Sequence, residues 1–329
     1  MSRGRALRLV IGMAVLVAVV ARIGPSPFAH GLRAMTPTTL AASVVITALT
    51  TTCAAWRWTL VAHGLGVRLP LPVAVAAYYR SQLLNLVLPG GIVGDVHRGV
   101  VHGRDVGSVG GGLRAVAWER TAGQLVQAAV AIVVLAALPS PVRAAVPAAL
   151  LVLGAAAAVA AAVAVLAARM PAGRVARAVR AVTADLRAGP LARGIRLEVA
   201  LASLVVVAGH TTVFLIAAHA AGASASVSTL LPLAILVQLA TSAPLGIAGW
   251  GPREGAAAWA FAAAGLGAAT GVAITTLYGV LALASVSPGA AVLVAEMSRK
   301  AARRRVPPHP AGTPPQLAIA RSLEGGNGG

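Results

Sequence analysis

The chain has few charged residues and a single cysteine. Charged residues make up 11% of its 329 residues, whereas a soluble domain carries about 25%. Hydrophobic residues make up 58%, so the composition excludes an ordinary soluble protein and predicts an all-α, polytopic membrane protein. Cys53 is the only cysteine, which excludes an internal disulfide and a cysteine metal cluster.

Acidic residues are also scarce. Eight Asp and Glu oppose 27 Lys and Arg, and the net charge is +19. The arginines cluster in loops beside apolar runs, so membrane orientation and anionic lipid headgroups explain the charge better than nucleic acid does. We therefore predict the membrane as a partner and no nucleic-acid partner.

Several motifs of catalysis and of metal or phosphate binding are missing. No Gly-x-Ser-x-Gly element, Walker loop or Asp-x-Asp signature occurs, and Asp95, His97 and His102 match no spacing typical of metal ligands. The glycine-rich stretch 107–112 lacks the Lys-Ser/Thr of a phosphate loop, and we expect a flexible cytoplasmic loop there. The sequence predicts no cofactor and no metal.

Long apolar runs define the candidate membrane spans. A helix needs about 20 apolar residues to cross the bilayer core. Two further apolar stretches, 72–97 and 228–265, are interrupted by glycine and proline, and we interpret them as broken helices or re-entrant hairpins. The first full span follows three arginines but precedes no clear cleavage site, so we expect it to be retained. The six predicted full spans are 6–23, 38–60, 115–138, 143–168, 196–220 and 270–297.

Arginine in the loops predicts the orientation. The N-terminus carries three arginines, segment 169–196 carries seven, and 299–305 is strongly basic. The positive-inside rule then predicts that both termini lie in the cytoplasm. We expect the protein to be located in the inner membrane of the cell. We assign 1–298 to the membrane domain and 299–329 to a basic, disordered tail.

Segment 171–189 has the pattern of an amphipathic helix. Val175, Val179, Val182 and Leu186 recur at helical spacing, with arginines on the other faces. This pattern is typical of a helix lying on the inner membrane surface. An ordinary positive-inside loop with some helix is the alternative.

One short pattern occurs twice. Residues 89–98 and 244–253 both read P-x-G-I-x-G-x-x-x-R, and a carboxylate accompanies each arginine. Irregular backbone at membrane depth is tolerated where it lines a cavity inside the protein. Two such breaks entering from opposite faces predict an inverted repeat. Eight plain spans with kinked helices, or chance similarity, are the alternatives.

The charged residues near these breaks are the candidates for function, because charge inside a membrane is costly. Arg98, Arg253 and Arg120 could bind a phosphate, and glycine would let backbone amides approach it. Arg120, Gln124 and Gln127 share one helix face, which should face protein or water. Alternatively, the charges form ion pairs that only fix helix packing. The predicted substrate-binding residues are Arg80, Asn85, Gly91, Gly94, Asp95, Arg98, Glu119, Arg120, Gly249, Arg253 and Glu254.

These residues carry a family resemblance. Segment 80–98, Trp118-Glu119-Arg120 and segment 244–254 resemble the flippase-like membrane family named for the transmembrane region of lysylphosphatidylglycerol synthases. The resemblance covers roughly residues 6–298 and implies a protein that handles an anionic phospholipid or a polyprenyl-linked glycolipid. It also implies a glycosyltransferase as a candidate partner. Pro252 departs from the pattern.

In the full synthases of that family, a soluble aminoacyl-transferase domain follows the membrane module. Here a short polar tail follows, so synthase activity is not expected. The sequence favours a lipid flippase-like transporter that holds a headgroup between the two breaks. The alternatives are a membrane enzyme that uses Asp95 or Glu119, and a subunit of glycolipid or envelope glycan assembly.

Overall fold

The structure, a computed structural model, describes residues 17, 20–88, 91–169, 173–242 and 251–305, without the side chains of 167, 168, 175 and 299–305. All regular structure in these ranges is helical. A short 3-10 turn, Arg143–Ala145, precedes α6. The α-helices are α1 (Ser26–Arg33), α2 (Pro37–Gly64), α3 (Leu71–Val87), α4 (Val93–Asp105), α5 (Val109–Ala137), α6 (Val146–Arg169), α7 (Arg174–Ala188), α8 (Arg196–Ala220), α9 (Val227–Ser242), α10 (Pro252–Ala263), α11 (Ala268–Ser285) and α12 (Pro288–Arg305).

The predicted all-α, polytopic membrane fold is confirmed. Five helical segments in the described part are long and apolar enough to cross a membrane, and they match five of the six predicted spans. The remaining one, 6–23, lies largely outside the described residues. The last predicted span, 270–297, is divided between α11 and α12 at Pro288, which has no N–H to continue a helical ladder. The five segments are Pro37–Gly64, Val109–Ala137, Arg143–Leu166, Arg196–Ala220 and Ala268–Ser298.

The predicted flexible loop at 107–112 is wrong. Helix α5 begins directly after Ser108, whose Oγ accepts a hydrogen bond from the Gly111 amide at 3.2 Å and caps the helix. A Cβ on Gly112 would meet the Gly103 backbone nitrogen at 2.7 Å. The glycines of this stretch therefore permit α5 to pack closely on α4, which the sequence pattern did not indicate.

The first predicted break is present, because α3 ends at Val87 and α4 begins at Val93, whereas the second, between α9 and α10, lies outside the described residues. Helices α3 and α4 have 17 and 13 residues, and α9 and α10 have 16 and 12. Each is shorter than the length of about 20 residues needed to span a bilayer core. The two members of each pair pack against each other, so we call them hairpin one (α3–α4) and hairpin two (α9–α10). Residues 89–90 and 243–250, including Pro89 and Pro244, lie outside the described residues.

Helices α2 and α8 pack along each other and join the two hairpins. Helix α3 packs on α2, α9 packs on α8, and α11 contacts α2, α8 and α10. The largest apolar cluster combines residues of α8, α9, α10 and α11, with Phe214, Leu233, Phe261 and Leu277 almost fully buried. Helix α6 is peripheral: no residue of its most apolar window is buried.

The predicted amphipathic segment contains α7. Val179 and Leu186 are partly buried, and Arg177 and Arg180 are exposed, but Val182 is exposed too. Its position on a membrane surface stays a prediction.

The chain divides into two units. The first, Met1–Val292, contains both hairpins. The second, Leu293–Gly329, is described only over residues 293–305, which form the C-terminal part of α12. The predicted disordered tail beyond residue 305 lies outside the described residues.

A buried ion network beside a polar cavity

Short-range contacts hold the two helices of hairpin one together. Gly91 has a φ of 61°, a left-handed conformation that glycine adopts without strain. Beyond it, the Gly94 amide donates to Asn85 Oδ1 at 2.7 Å, which ties the start of α4 to the end of α3. A Cβ on Gly94 would meet the Ser81 carbonyl carbon at 2.7 Å. Only glycine therefore allows this approach between the helices.

Asp95 lies in the first turn of α4, where the helix dipole favours a negative charge. Its Oδ1 accepts hydrogen bonds from Ser81 Oγ at 3.1 Å and from Arg98 Nε at 3.0 Å. Its Oδ2 accepts from Asn85 Nδ2 at 2.9 Å and from the Arg120 guanidinium. Both carboxylate oxygens are thus engaged by donors from three helices.

Glu119 is fully buried in α5 and links two arginines. Its Oε1 accepts from Arg57 Nε at 2.9 Å, from a second Arg57 nitrogen, and from the Tyr78 hydroxyl at 3.0 Å. Its Oε2 accepts from Arg98 Nη2 at 2.6 Å. The Arg98 guanidinium lies 4.3 Å from the ring centroid of Tyr78 and 4.5 Å from that of Trp58, so ring faces and a carboxylate surround this buried cation.

The contacts form one chain of ion pairs, Arg57–Glu119–Arg98–Asp95–Arg120, which we call the ion network. Three guanidinium groups meet two carboxylates, so the network carries one net positive charge. Removing one member of such a buried set would leave another charge without its partner, at a cost of several kcal/mol. The network therefore fixes the arrangement of α2, α4 and α5.

A polar cavity of about 280 Å³ lies against one side of the ion network. The predicted polar face of α5 is confirmed, because Arg120, Gln124 and Gln127 all line it. Among the described residues that line it, Asp95 is the one carboxylate. The remaining lining residues are Arg57, Tyr78, Gln82, Asn85, Gly123, Ser203, Val206, Val207, His210, Gln238, Thr241, Ser242 and Tyr278.

Hairpin two carries a local ion pair at the start of α10. Arg253 Nε donates to Glu254 Oε1 at 2.9 Å, and Glu254 Oε2 accepts from the Gly251 amide at 2.7 Å. Pro252 occupies the first turn of α10, where its fixed φ suits the helix and its missing N–H is not needed. A proline at this position is therefore compatible with the start of α10.

The Arg253 guanidinium is buried and lies 5.9 Å from the ring centroid of Tyr278, which itself lines the cavity. Arg98 has the same relation to Tyr78, another lining residue. Each repeated element therefore packs its arginine on a tyrosine of the cavity wall.

The structure brings together five of the predicted site residues in the ion network and the cavity wall. Asn85, Asp95 and Arg120 line the cavity, while Arg98 and Glu119 lie in the ion network. Gly91 and Gly94 shape the break in hairpin one, and Arg80 is buried on α3. Arg253 and Glu254 form their own pair, and Gly249 lies outside the described residues. The roles of all eleven in substrate binding stay predictions.

Sequence reasoning missed Arg57, although its position was informative. It lies inside the predicted span 38–60, and a charged residue within an apolar span is a functional candidate by default. In the structure it donates to Glu119 and, through Nη1, to Ser203 Oγ at 2.9 Å. Tyr78 and Ser203 had no comparable signal, because hydroxyl residues are common in membrane helices.

The arrangement provides donors for an anion. Guanidinium, amide and hydroxyl groups predominate in the polar part of the cavity wall. Each oxygen of Asp95 and Glu119 accepts a hydrogen bond from an arginine, so either carboxylate would have to lose an ion pair before acting as a base. The geometry therefore favours anion binding over general-base catalysis.

Comparison with known proteins gives one match. The family model described as "Lysylphosphatidylglycerol synthase TM region" matches residues 5–289, a range that contains both hairpins and the ion network. No curated protein and no solved structure matches the chain.

Proposed function

Because the chain belongs to the family of the lysylphosphatidylglycerol synthase TM region, we propose that it binds the headgroup of an anionic membrane lipid and moves that lipid across the bilayer. The family supports a membrane protein of lipid or envelope-related processes. In this proposal the protein lies in the inner membrane with both termini in the cytoplasm, as the arginine distribution predicts.

The observation that carries the proposal is the charge of the cavity wall. Arg57 and Arg120 line a polar cavity in a protein of apolar helices, and Asp95 is the one acid beside them. A guanidinium presents paired N–H donors that match a phosphate. Arg120 is bound to Asp95, and a phosphate would share or replace that carboxylate. A cationic headgroup would instead meet net positive charge.

The neutral part of the wall supports a headgroup with hydroxyl groups. Gln82, Gln124, Gln127 and Gln238 offer both donors and acceptors to the cavity. Such groups suit the glycerol of a phospholipid or the sugar of a polyprenyl-linked glycolipid. An apolar substrate would leave these amides without partners, which is costly away from water.

Both hairpins contribute to the wall, and this supports a transport role. Asn85 and Asp95 come from hairpin one, and Gln238, Thr241 and Ser242 come from hairpin two. A substrate bound between two such elements can be exposed to either side when one moves against the other. The same hairpins would then bind and release the headgroup.

Binding of phosphatidylglycerol by the purified protein tests the site. We expect Arg120→Gln to lower the affinity about tenfold or more, since a hydrogen bond to a charged group contributes roughly 1.5–3 kcal/mol. The matched control is Arg114→Gln on the same helix, where a half-exposed arginine pairs with Asp185 outside the cavity. Equal affinities of the two variants would contradict the assignment of the cavity.

Transport needs a separate measurement in liposomes. Fluorescent phosphatidylglycerol and a polyprenyl-linked glycolipid would be offered in parallel, with translocation followed by quenching of the outer leaflet. We expect transport by the native protein and by Arg114→Gln, and a strong reduction in Arg120→Gln. If lipid binds but none is translocated, the result would support the headgroup site and contradict the transporter role.

A further inference from the structure

A second cavity lies between α5, α6 and α9, and its wall is entirely apolar. Its volume is about 240 Å³, and every residue that lines it is Ala, Val, Leu or Ile. Ala128 and Ala131 form its inner side on α5, Ala149 and Leu153 form its outer side on α6, and Leu239 completes it from α9. We call this space the apolar groove.

The apolar groove adjoins the polar cavity along two helices. On α5, Gln124 and Gln127 line the cavity, and Ala128 and Ala131, each four residues further on, line the groove. Residues four apart lie on the same helix face.

On α9 the neighbours Gln238 and Leu239 line the cavity and the groove, respectively. Val207 of the cavity wall also packs in the same apolar cluster as Ala131. The polar and apolar linings thus adjoin each other on α5 and α9.

The outer side of the groove faces the surroundings of the protein. Ala149 is exposed, and Leu153 is 51% exposed. Helix α6 is itself one of the apolar segments able to cross a membrane, so these surfaces would face hydrocarbon. The groove therefore lies beside the polar cavity and has exposed residues on the lipid side of the protein.

We infer, on the basis of the proposed function, that the apolar groove binds an acyl chain of the glycerophospholipid whose headgroup occupies the polar cavity. The order of the two spaces matches the order of headgroup and chain in a lipid. The cavity is near the lower end of ligand-pocket volumes, about 300–1,000 Å³. It suits one phosphate with a small polyol, which favours a glycerophospholipid over a lipid-linked oligosaccharide.

The groove would orient the lipid more than it would increase the affinity. Inside a bilayer an acyl chain leaves one apolar environment for another, so only packing distinguishes the groove from bulk lipid. We therefore expect changes of several-fold, together with a defined location of the chain.

Photo-crosslinking tests this location. The probe is phosphatidylglycerol with a diazirine in the middle of one acyl chain, added to the purified native protein, with labelled peptides identified by mass spectrometry. We expect labels in segments 128–135 and 142–153 that excess unlabelled phosphatidylglycerol removes. Ala149→Trp, which fills the groove, should reduce this labelling several-fold. The matched control Ala148→Trp changes the adjacent exposed residue, which does not line the groove, and should not.

The outcomes separate this inference from the proposed function. If phosphatidylglycerol binds with the Arg120 dependence given above, but labels fall outside the groove or Ala149→Trp and Ala148→Trp behave alike, the groove site is overturned and the headgroup site stands. If phosphatidylglycerol does not bind at all, both the groove site and the headgroup site are contradicted. Competition by a polyprenyl phosphate but not by phosphatidylglycerol would overturn the choice of an acyl chain. Size-exclusion profiles of both tryptophan variants check that they remain folded.

Discussion

The two hairpins contain the same short sequence pattern but use it in different ways. In each, a helix begins within the pattern, and a carboxylate occupies the third position of that helix, Asp95 in α4 and Glu254 in α10. Asp95 joins an ion network that extends over three helices and lines a cavity. Glu254 binds the neighbouring arginine and the amide at the start of its own helix.

The difference teaches that a repeated pattern can specify a local helix start without specifying what the charges do. A carboxylate in the first turn is favoured in both hairpins by the free amides and the helix dipole. The contacts beyond the helix start depend on the neighbouring helices, which supply Arg120 to Asp95 in one case and the Tyr278 ring to Arg253 in the other. Four predictions follow from this, beginning with the largest expected effect.

Loss of Glu119 should be the most damaging single change. Glu119→Gln would leave Arg57 and Arg98 buried beside each other without their shared carboxylate, at an expected cost of about 3–5 kcal/mol of stability. Glu254→Gln deprives one arginine and should cost less. Thermal unfolding in detergent, followed by tryptophan fluorescence, would measure both. A larger drop in melting temperature for Glu254→Gln would contradict the greater contribution to stability that we assign to Glu119.

Replacement of the repeated arginines by lysine should have the next largest effect on stability, and the loss should differ between the two hairpins. Arg98 donates to two different carboxylates, and one ammonium cannot reproduce both contacts and the packing between two rings. We expect Arg98→Lys to lose about 1.5–3 kcal/mol, the contribution of one charge-assisted hydrogen bond. Arg253→Lys retains its single carboxylate partner Glu254 within reach and should lose less. Similar melting temperatures for the two variants would argue against a central role of the ion network.

Replacement of glycine by alanine should cost more stability where the added methyl group meets backbone than where it meets a side chain. A Cβ at Gly94 would meet backbone atoms of Ser81, whereas a Cβ at Gly279 would meet the end of the Arg253 side chain. Backbone cannot move aside without separating α3 from α4, so Gly94→Ala should cost about 1–3 kcal/mol. Gly279→Ala should cost less because a guanidinium can shift. The same unfolding measurement applies, and equal losses would show that Arg253 is held as firmly as backbone.

The smallest effect is expected at Pro252. Its ring fixes φ at the start of α10. The ion pair between Arg253 and Glu254 makes no use of that ring. Pro252→Ala should therefore reduce stability by about 0.4–1 kcal/mol through the greater freedom of the unfolded chain. Lipid binding should stay at the native level. A large loss of binding would show that the second break shapes the cavity directly.

Much of the architecture could be predicted from the sequence because a bilayer restricts the options. Apolar length and helix-breaking residues identified five described spans and the break between α3 and α4. The prediction failed at 107–112, where glycine was read as a sign of a loop. There it permits close packing of α4 and α5, and the need for that packing is visible only once both helices are in place.

The candidate site was predictable in part. Asp95, Arg98, Glu119 and Arg120 were singled out because charge in an apolar chain needs a reason. Their pairing was not predictable, since Glu119 binds Arg57 from a helix 62 residues earlier. The predicted meeting of Arg98 and Arg253 at one headgroup also depends on tertiary structure, which places each of them against a tyrosine of the wall.

By itself the sequence determined that the protein is helical and membrane-embedded and that its helices are interrupted between α3 and α4, because composition and helix-breaking residues act locally along the chain. Only the tertiary structure decided which charges are neutralised, which line a cavity and which apolar surface continues from it. Those outcomes depend on contacts between helices distant in sequence, and an electrostatic interaction depends on distance and burial in space, not on position in the chain.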